Sequence, residues 1–265
     1  MQRTHLAALV GWALLSSSPL AFAEAPADPL AEAQACAQRN LPQLTLELKA
    51  TFTKVDRVGG ERVSRAKVLA KKLEDGLRRV VLRFDKPVDV RGTAMLMIET
   101  RNGPSEIYVY SPAERRSRHI VGRGGGGLFG TDFSYDDFEN WRGFSNHTSA
   151  ERLPDAVETG RPVYVIAGKP ATAEGSNYER VVSYIDHETC VVLRIDSFEA
   201  GEKLRKVMRA DPASVKKTGG LSMATAIELE DVIDGTRTRV AIDKIQLDVD
   251  LPDRLFRQTD LGSGE

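Results

Sequence analysis

The stretch Leu44-Thr-Leu-Glu-Leu-Lys-Ala-Thr-Phe52 decides the fold. Leu44, Leu46, Leu48, Ala50 and Phe52 alternate with Thr45, Glu47, Lys49 and Thr51. A period of two places the apolar side chains on one face of a strand and the polar ones on the other, so this is a strand with one buried face. Downstream, Gly59-Gly60 turns the chain, Val63–Leu73 continues less cleanly, and Asp75-Gly76 signals a hairpin. Leu77–Phe84 follows with Val80, Leu82 and Phe84 in phase, until Pro87 and Gly92 break the pattern. In Thr93–Thr100 both parities are apolar, with Ala94, Leu96 and Ile98 against Met95 and Met97. Such a strand must be covered on both faces.

Further turns at Asn102-Gly103 and Ser111-Pro112 bound a short strand at Ile107–Tyr110, and Glu114–Val121 leads into a glycine run. Strand patterns resume at Thr148–Leu153, Arg161–Ala167, Tyr178–Ile185, Cys190–Phe198 and Leu204–Arg209. Thr225–Val232 and Thr236–Val249 flank Asp234-Gly235, the strongest hairpin signal, and Pro252–Leu261 is a closing turn or short helix. Upstream of the deciding stretch, Leu30–Asn40 reads as a helix that stops before Pro42. About ten or eleven strands joined by tight turns demand an antiparallel meander, and a sheet of that size must curl or close. The expected fold class is mainly β (α+β): a curled, half-open antiparallel barrel with short helices as its lid.

Residues 1–23 have the form of a secretory signal, with Arg3 and His5 before the apolar run Leu6–Leu15 and Ala21-Phe22-Ala23 as the cleavage site. That run is too short to span a bilayer, so residues 24–265 are expected as one exported, soluble domain. A net charge of −1 over 265 residues offers no basic footprint for nucleic acid. The remaining cysteines, Cys36 and Cys190, are an even pair in an oxidising compartment and are expected to form a disulfide, with two buried thiols as the alternative. The bridge would staple the first helix to the strand that carries Cys190.

The segment Leu128–Trp141, LFGTDFSYDDFENW, follows Gly124, Gly125, Gly126 and Gly127. It gathers Leu128, Phe129, Phe133, Tyr135, Phe138 and Trp141 in a chain that is only 6% aromatic. It reads as a short helix capped by Thr131 or Asp132, with aromatics on one face and solvated acids on the other. Behind a glycine hinge it would form a lid; the alternative is a crossover segment plugging one end of a core. Gly122-x-Gly124-x-x-Gly127 matches a dinucleotide fingerprint by letter alone, since no βαβ unit surrounds it. His119, His147 and His187 show no metal-ligand spacing, no nucleophile motif is present, and no catalytic residue is assigned. Met95 and Met97 beside Leu96 and Ile98, together with the aromatics of the lid, suit an irregular apolar ligand or a filled core. Arg115, Arg116 and Arg118 are either a docking patch or a charged strand edge.

The stretches FDKPVDVRGTAMLMIE (84–99), VYSPAERRSRHIVG (109–122) and LFGTDFSYDDFE (128–139) resemble the longer LolA-like outer-membrane lipoprotein-sorting proteins, which occur beside RND/MMPL-type transporters. The resemblance implies a half-open LolA/LolB-like barrel with an apolar cavity, and a monomeric periplasmic carrier of a lipid or of a lipoprotein's acyl chains. Lipoprotein carriers proper are shorter and lack the Gly130–Tyr135 stretch, so a free lipid and a lipoprotein are both expected cargoes. In that reading Met95, Met97 and the six apolar side chains of 128–141 contact the acyl chains, and the three arginines meet the transporter or an anionic headgroup. The resemblance brings no cofactor, metal or catalytic residue. The rival reading is a periplasmic adaptor or sensor, as in the LolA-like domain of some anti-sigma regulators, which binds a protein and carries nothing.

Overall fold

A computed structural model describes residues 28–41, 45–101, 103–121, 126–141, 147–170 and 176–263; the expected signal at 1–23 lies outside them. The first element is helix α1 (Pro29–Arg39), started by Pro29 in its first turn and by Asp28, whose side chain accepts from Leu30 N–H at 3.0 Å. Strands β1 (Leu46–Val55), β2 (Glu61–Lys72), β3 (Arg78–Lys86), β4 (Ala94–Ile98), β5 (Glu106–Ser111) and β6 (Arg116–His119) then run as a meander to one edge of the sheet. Helix α2 (Tyr135–Trp141) crosses to β7 (His147–Glu158), the opposite edge. The chain returns through β8 (Arg161–Pro170), β9 (Arg180–Asp186), β10 (Val192–Glu199) and β11 (Lys203–Ala210). A separate hairpin, β12 (Val215–Thr218) and β13 (Leu221–Ala224), precedes β14 (Ala226–Asp231) and β15 (Thr236–Leu247).

The order across the thirteen-stranded sheet is β6-β5-β4-β3-β2-β1-β15-β14-β11-β10-β9-β8-β7, antiparallel throughout. It curls without closing, which gives the expected half-open barrel. Leu44 of the deciding stretch lies outside the described residues; the stretch from Leu46 on forms β1 at the centre, paired with β2 on one side and β15 on the other, from Leu46↔Leu247 to Val55↔Arg237. Two meanders from the two halves of the chain therefore meet along one seam. Asp75-Gly76 and Asp234-Gly235 make the predicted hairpins, with Gly76 and Gly235 at φ 78° and 62°, a region that favours glycine.

The alternation predicted for β1 holds: Leu46, Ala50 and Phe52 are buried and Lys49 is exposed. β4 is covered on both faces as expected. Met95 and Met97 face the concave core with Phe52, Phe84 and Leu82, while Ala94 and Leu96 pack outside against Leu251, Phe256 and Leu261 of the closing turns. β8 splits likewise. Val163 and Val165 face the concave core, and Ile166 lies under Ala33, Cys36 and Ala37 of α1 on the other face. β12 and β13 were not expected as strands, and β6 was foreseen only as the charged-edge alternative for Arg115, Arg116 and Arg118. Each is only four residues long and mostly half-buried or exposed, too short for a period of two to stand out. β7 runs longer than predicted because register shifts at His147/Ser149 and Leu153/Ala156 carry the pairing past Pro154.

Candidate functional site

The concave face holds a cavity of about 230 Å³. Its walls are the inward faces of β1 (Leu46, Leu48, Ala50, Phe52), β2 (Val68, Ala70), β3 (Val80, Leu82) and β4 (Met95, Met97), met from the second meander by Ala210, Ile227, Val240 and Ile242. The end of α1 contributes Ala37, Asn40 and Leu41, the β9–β10 turn Cys190 and Val191, β13 Met223, and α2 Phe138. Among the described residues Arg78 is the single charged side chain in the lining, and Asn40 and Ser222 are the uncharged polar ones. An apolar hollow with a few placed polar groups has the usual make-up of a small-molecule site.

Two structures close this cavity. At α1 the expected disulfide is formed between Cys36 and Cys190. Asn40, the C-cap of α1, donates to Thr189 C=O at 2.8 Å and accepts from Ser222 N–H at 2.8 Å, so one side chain ties the helix end to the β9–β10 turn and to β13. The turn is shaped by buried Asp186, which accepts from Thr189 N–H (2.7 Å), Thr189 Oγ1–H (2.8 Å), Glu188 N–H (3.1 Å) and the Arg161 guanidinium. Burial alone would raise the Asp186 carboxyl pKa; the Arg161 and Thr189 donors outweigh it and hold the group below the ordinary carboxylate value.

At α2 the closure is polar. The acids of 128–141 were expected on a solvated face, and the structure corrects this: Asp132, Asp136, Asp137 and Glu139 are all buried. Lys206, 2% exposed on β11, donates to Asp132 C=O at 2.6 Å and to Asp137 Oδ2 at 2.7 Å. Asp137 also accepts from Ser134 N–H (2.7 Å), Ser134 Oγ–H (2.8 Å) and Tyr178 O–H (2.8 Å). Burial, then the Asp137 charge, pushes the Tyr178 hydroxyl pKa well above its usual value, so Tyr178 stays a donor. Asp132 takes Thr236 and Thr238 hydroxyls at 2.7 Å each and pairs with Lys54 Nζ at 2.9 Å. Asp136 receives Ser176 and Asn177 at 3.1 Å, and Glu139 receives Ser105 N–H at 2.9 Å. The acids reach inward because the sheet presents donors at matching places. Ser134 and Asp137 cap the helix reciprocally, in place of the expected Thr131 or Asp132.

The aromatics expected to meet a ligand sit at different depths. Met95, Met97 and Phe138 line the cavity. Phe133 is 0% exposed, stacked 5.2 Å from Phe138 and edge-on to Phe52 at 6.2 Å. Phe129 lies 5.1 Å from Phe84, and Leu128 and Tyr135 pack half-buried on the same core. Trp141 is the last residue of α2, and its side chain lies outside the described part. Gly124 and Gly125 also lie outside the described residues; Gly126 is exposed. A Cβ on Gly127 would stand 1.9 Å from Thr131 C=O, so that position requires glycine for close packing. Arg115, Arg116 and Arg118 lie exposed on the turn into edge strand β6 and along it, and Arg116 and Arg118 share Glu114 at 3.3 and 2.6 Å. Among the described residues no cluster of three or more His, Cys, Asp or Glu side chains could hold a metal, and no helix is long and apolar enough to cross a membrane.

Sequence reasoning missed Lys54, Lys206, Thr238 and Arg78. A signal for them existed. Each continues an inward-facing series by one step: Lys54 after Ala50 and Phe52, Lys206 before Met208 and Ala210, Thr238 before Val240, and Arg78 before Val80 and Leu82. A polar residue in an inward phase demands a buried partner.

A family model described as "Uncharacterized protein" matches residues 76–263. No curated protein sequence matches the chain. Among solved structures, a domain described as an outer membrane lipoprotein-sorting protein from Vibrio parahaemolyticus is similar over 88% of this chain and 97% of its own, at 20% identity and a TM-score of 0.78. A DUF1329 family protein from Desulfovibrio piger is similar over 88% and 99%, at 23% identity and a TM-score of 0.78. A LolA superfamily protein from Nitrosomonas europaea is similar over 87% and 96%, at 18% identity and a TM-score of 0.66.

Proposed function

This chain belongs to the family matched over residues 76–263 and carries the LolA-like fold of the lipoprotein-sorting proteins, and on that premise we propose that it is a periplasmic carrier of acyl chains. It would hold the chains of a lipid or lipoprotein in the cavity between the concave sheet, the end of α1 and Phe138 of α2. It would pass them between envelope components, in partnership with an RND-type inner-membrane transporter. The observation that carries this reading is the apolar cavity itself, whose lining among the described residues holds one charged side chain, Arg78. Each methylene moved from water into such a lining contributes about 0.8 kcal/mol, so one long chain supplies ample binding energy before ordering costs. Met95 and Met97 suit a flexible ligand because the unbranched thioether adapts to irregular shapes. The exposed arginines at 115, 116 and 118 are the proposed docking surface for the transporter.

The test is native mass spectrometry of the protein purified from a periplasm, followed by solvent extraction. The expected result is a bound species that extracts as lipid, with a change in Trp141 fluorescence on delipidation; Trp12, the other tryptophan, lies in the expected signal. A clean ligand-free mass, with no response to added lipids or acylated peptides, would overturn the carrier reading and favour an adaptor that binds protein alone.

A further inference from the structure

Lys54, Lys206 and Arg78 are basic side chains at inward-facing positions of the sheet. The first two are met at 2.9 Å or less by Asp132 and Asp137 of the α2 segment. Arg78 is not. It is 9% exposed and lines the cavity, and its Nε finds no acceptor among the described residues. Its nearest charged neighbour, Glu99, approaches Arg78 Nη1 only to 3.8 Å, outside hydrogen-bond range, and spends its Oε2 on the Arg78 backbone N–H at 2.9 Å. A buried donor without an acceptor is unfavourable, and a guanidinium presents a planar fork suited to an oxyanion.

We propose that Arg78 is a headgroup anchor, and that the cavity takes a single-chain anionic amphiphile whose carboxylate or phosphate accepts from the guanidinium while its chain lies along Val80, Leu82, Met95 and Met97. The inference rests on the carrier reading and narrows its cargo. A neutral lipid offers apolar chains too, but its ester carbonyls accept from the guanidinium without forming an ion pair. Glu99 balances the arginine when the site is empty and leaves Nε without an acceptor. Position favours the same reading: Arg78 begins β3, at the end of the row formed by Val80 and Leu82, so one polar contact ends an apolar track.

The experiment measures displacement of the neutral dye Nile red from the purified full chain by dodecanoate, dodecyl phosphate and dodecan-1-ol, in the wild type, Arg78→Met and Arg78→Lys. Wild type should bind at least one of the two anions about ten- to a hundredfold tighter than the alcohol, the range of a charge-assisted hydrogen bond. Which anion binds tighter assigns carboxylate or phosphate. Arg78→Met should lower anion affinity to that of the alcohol and leave alcohol affinity unchanged, which also shows that the variant is folded; Arg78→Lys should keep part of the preference. Equal affinities in the wild type, a comparison that needs no variant, or a preference that survives in Arg78→Met would overturn the anchor while alcohol binding leaves the carrier standing. Binding of none of the three amphiphiles would overturn both.

Discussion

The two helices border one cavity and are held in opposite ways. α1 packs small residues, Ala33, Cys36 and Ala37, on the outer face of β8 and β9, and is fixed by one covalent bond and the two-sided amide of Asn40. α2 is fixed by a buried polar cluster in which Asp132, Asp136, Asp137 and Glu139 each accept from a different part of the fold. A covalent staple tolerates loose packing around it. A buried ionic cluster tolerates no loss of partner, because each charge depends on the next in a low-dielectric interior. The α1 side is therefore the side where the cavity wall can change without dissolving the core. The α2 side is over-determined.

Breaking the staple is the largest expected effect. Cys36 and Cys190 are 154 residues apart, so the chain-entropy model assigns the bridge about 4–5 kcal/mol. The double variant Cys36→Ser, Cys190→Ser should lose about that much in guanidinium denaturation, and hydrogen exchange should rise first in α1. Exchange rising equally in α2 would abolish the distinction between the two sides.

Next is the polar cluster. Lys206→Met removes the cation and leaves Asp137 buried, which should cost about 3–5 kcal/mol. Adding Asp137→Asn should restore part of the loss, since the amide oxygen can still accept from Ser134 while its NH2 donates to the Tyr178 hydroxyl oxygen. If Lys206→Met were neutral in urea unfolding, the cluster would be an ornament of the interior rather than what holds α2.

This comparison marks how far the sequence could be read. β1 and β4 were legible because period-two alternation reports which faces are covered, and the Cys36–Cys190 pairing because export and an even count suffice. The lock under α2 was not. Asp132, Asp136 and Asp137 carry the letters of a solvated helix face, and their burial follows from donors on β1, β11, β15 and the segment before β9, each distant in sequence. Lys54, Lys206 and Arg78 were readable as inward-phase cations, yet phase alone cannot say which of them meets an acid of the same chain. Of the aromatics grouped by sequence as one face, only Phe138 among the described side chains reaches the cavity lining, because depth in a curled sheet depends on the crossing path, which local spacing does not encode.

The turn beneath α1 gives the third prediction. Asp186 titrates below the ordinary carboxylate value in the folded chain, despite burial, because of Arg161 and Thr189. A depressed folded pKa contributes stability that is complete above the unfolded value of about 3.9 and is lost as pH falls through the folded one. Stability should therefore decline on acidification below about pH 4. Asp186→Asn should lose about 1.5–3 kcal/mol at pH 7, the worth of charged hydrogen bonds, and show a flatter acid limb. Denaturant midpoints between neutral and acid pH read both; an unchanged acid limb in Asp186→Asn would assign the sensitivity to other carboxylates.

The smallest expected effect on stability is also the sharpest on function. Ala70 on β2 is buried and lines the cavity between the two closures. Ala70→Leu extends into that space and forms no part of the staple or the polar cluster. Filling an existing cavity stabilises by about 0.5–2 kcal/mol, in contrast to the loss that overpacking a filled core brings. Amphiphile binding should fall at least tenfold, because the chain and the new side chain compete for one volume. Destabilisation of about 1–3 kcal/mol would mean that the site is packed core rather than a binding cavity. Unchanged binding in a stabilised variant would place the ligand elsewhere. The cavity is thus testable apart from both helices, and a gain in stability with a loss of binding is the one combination that a filled core cannot produce.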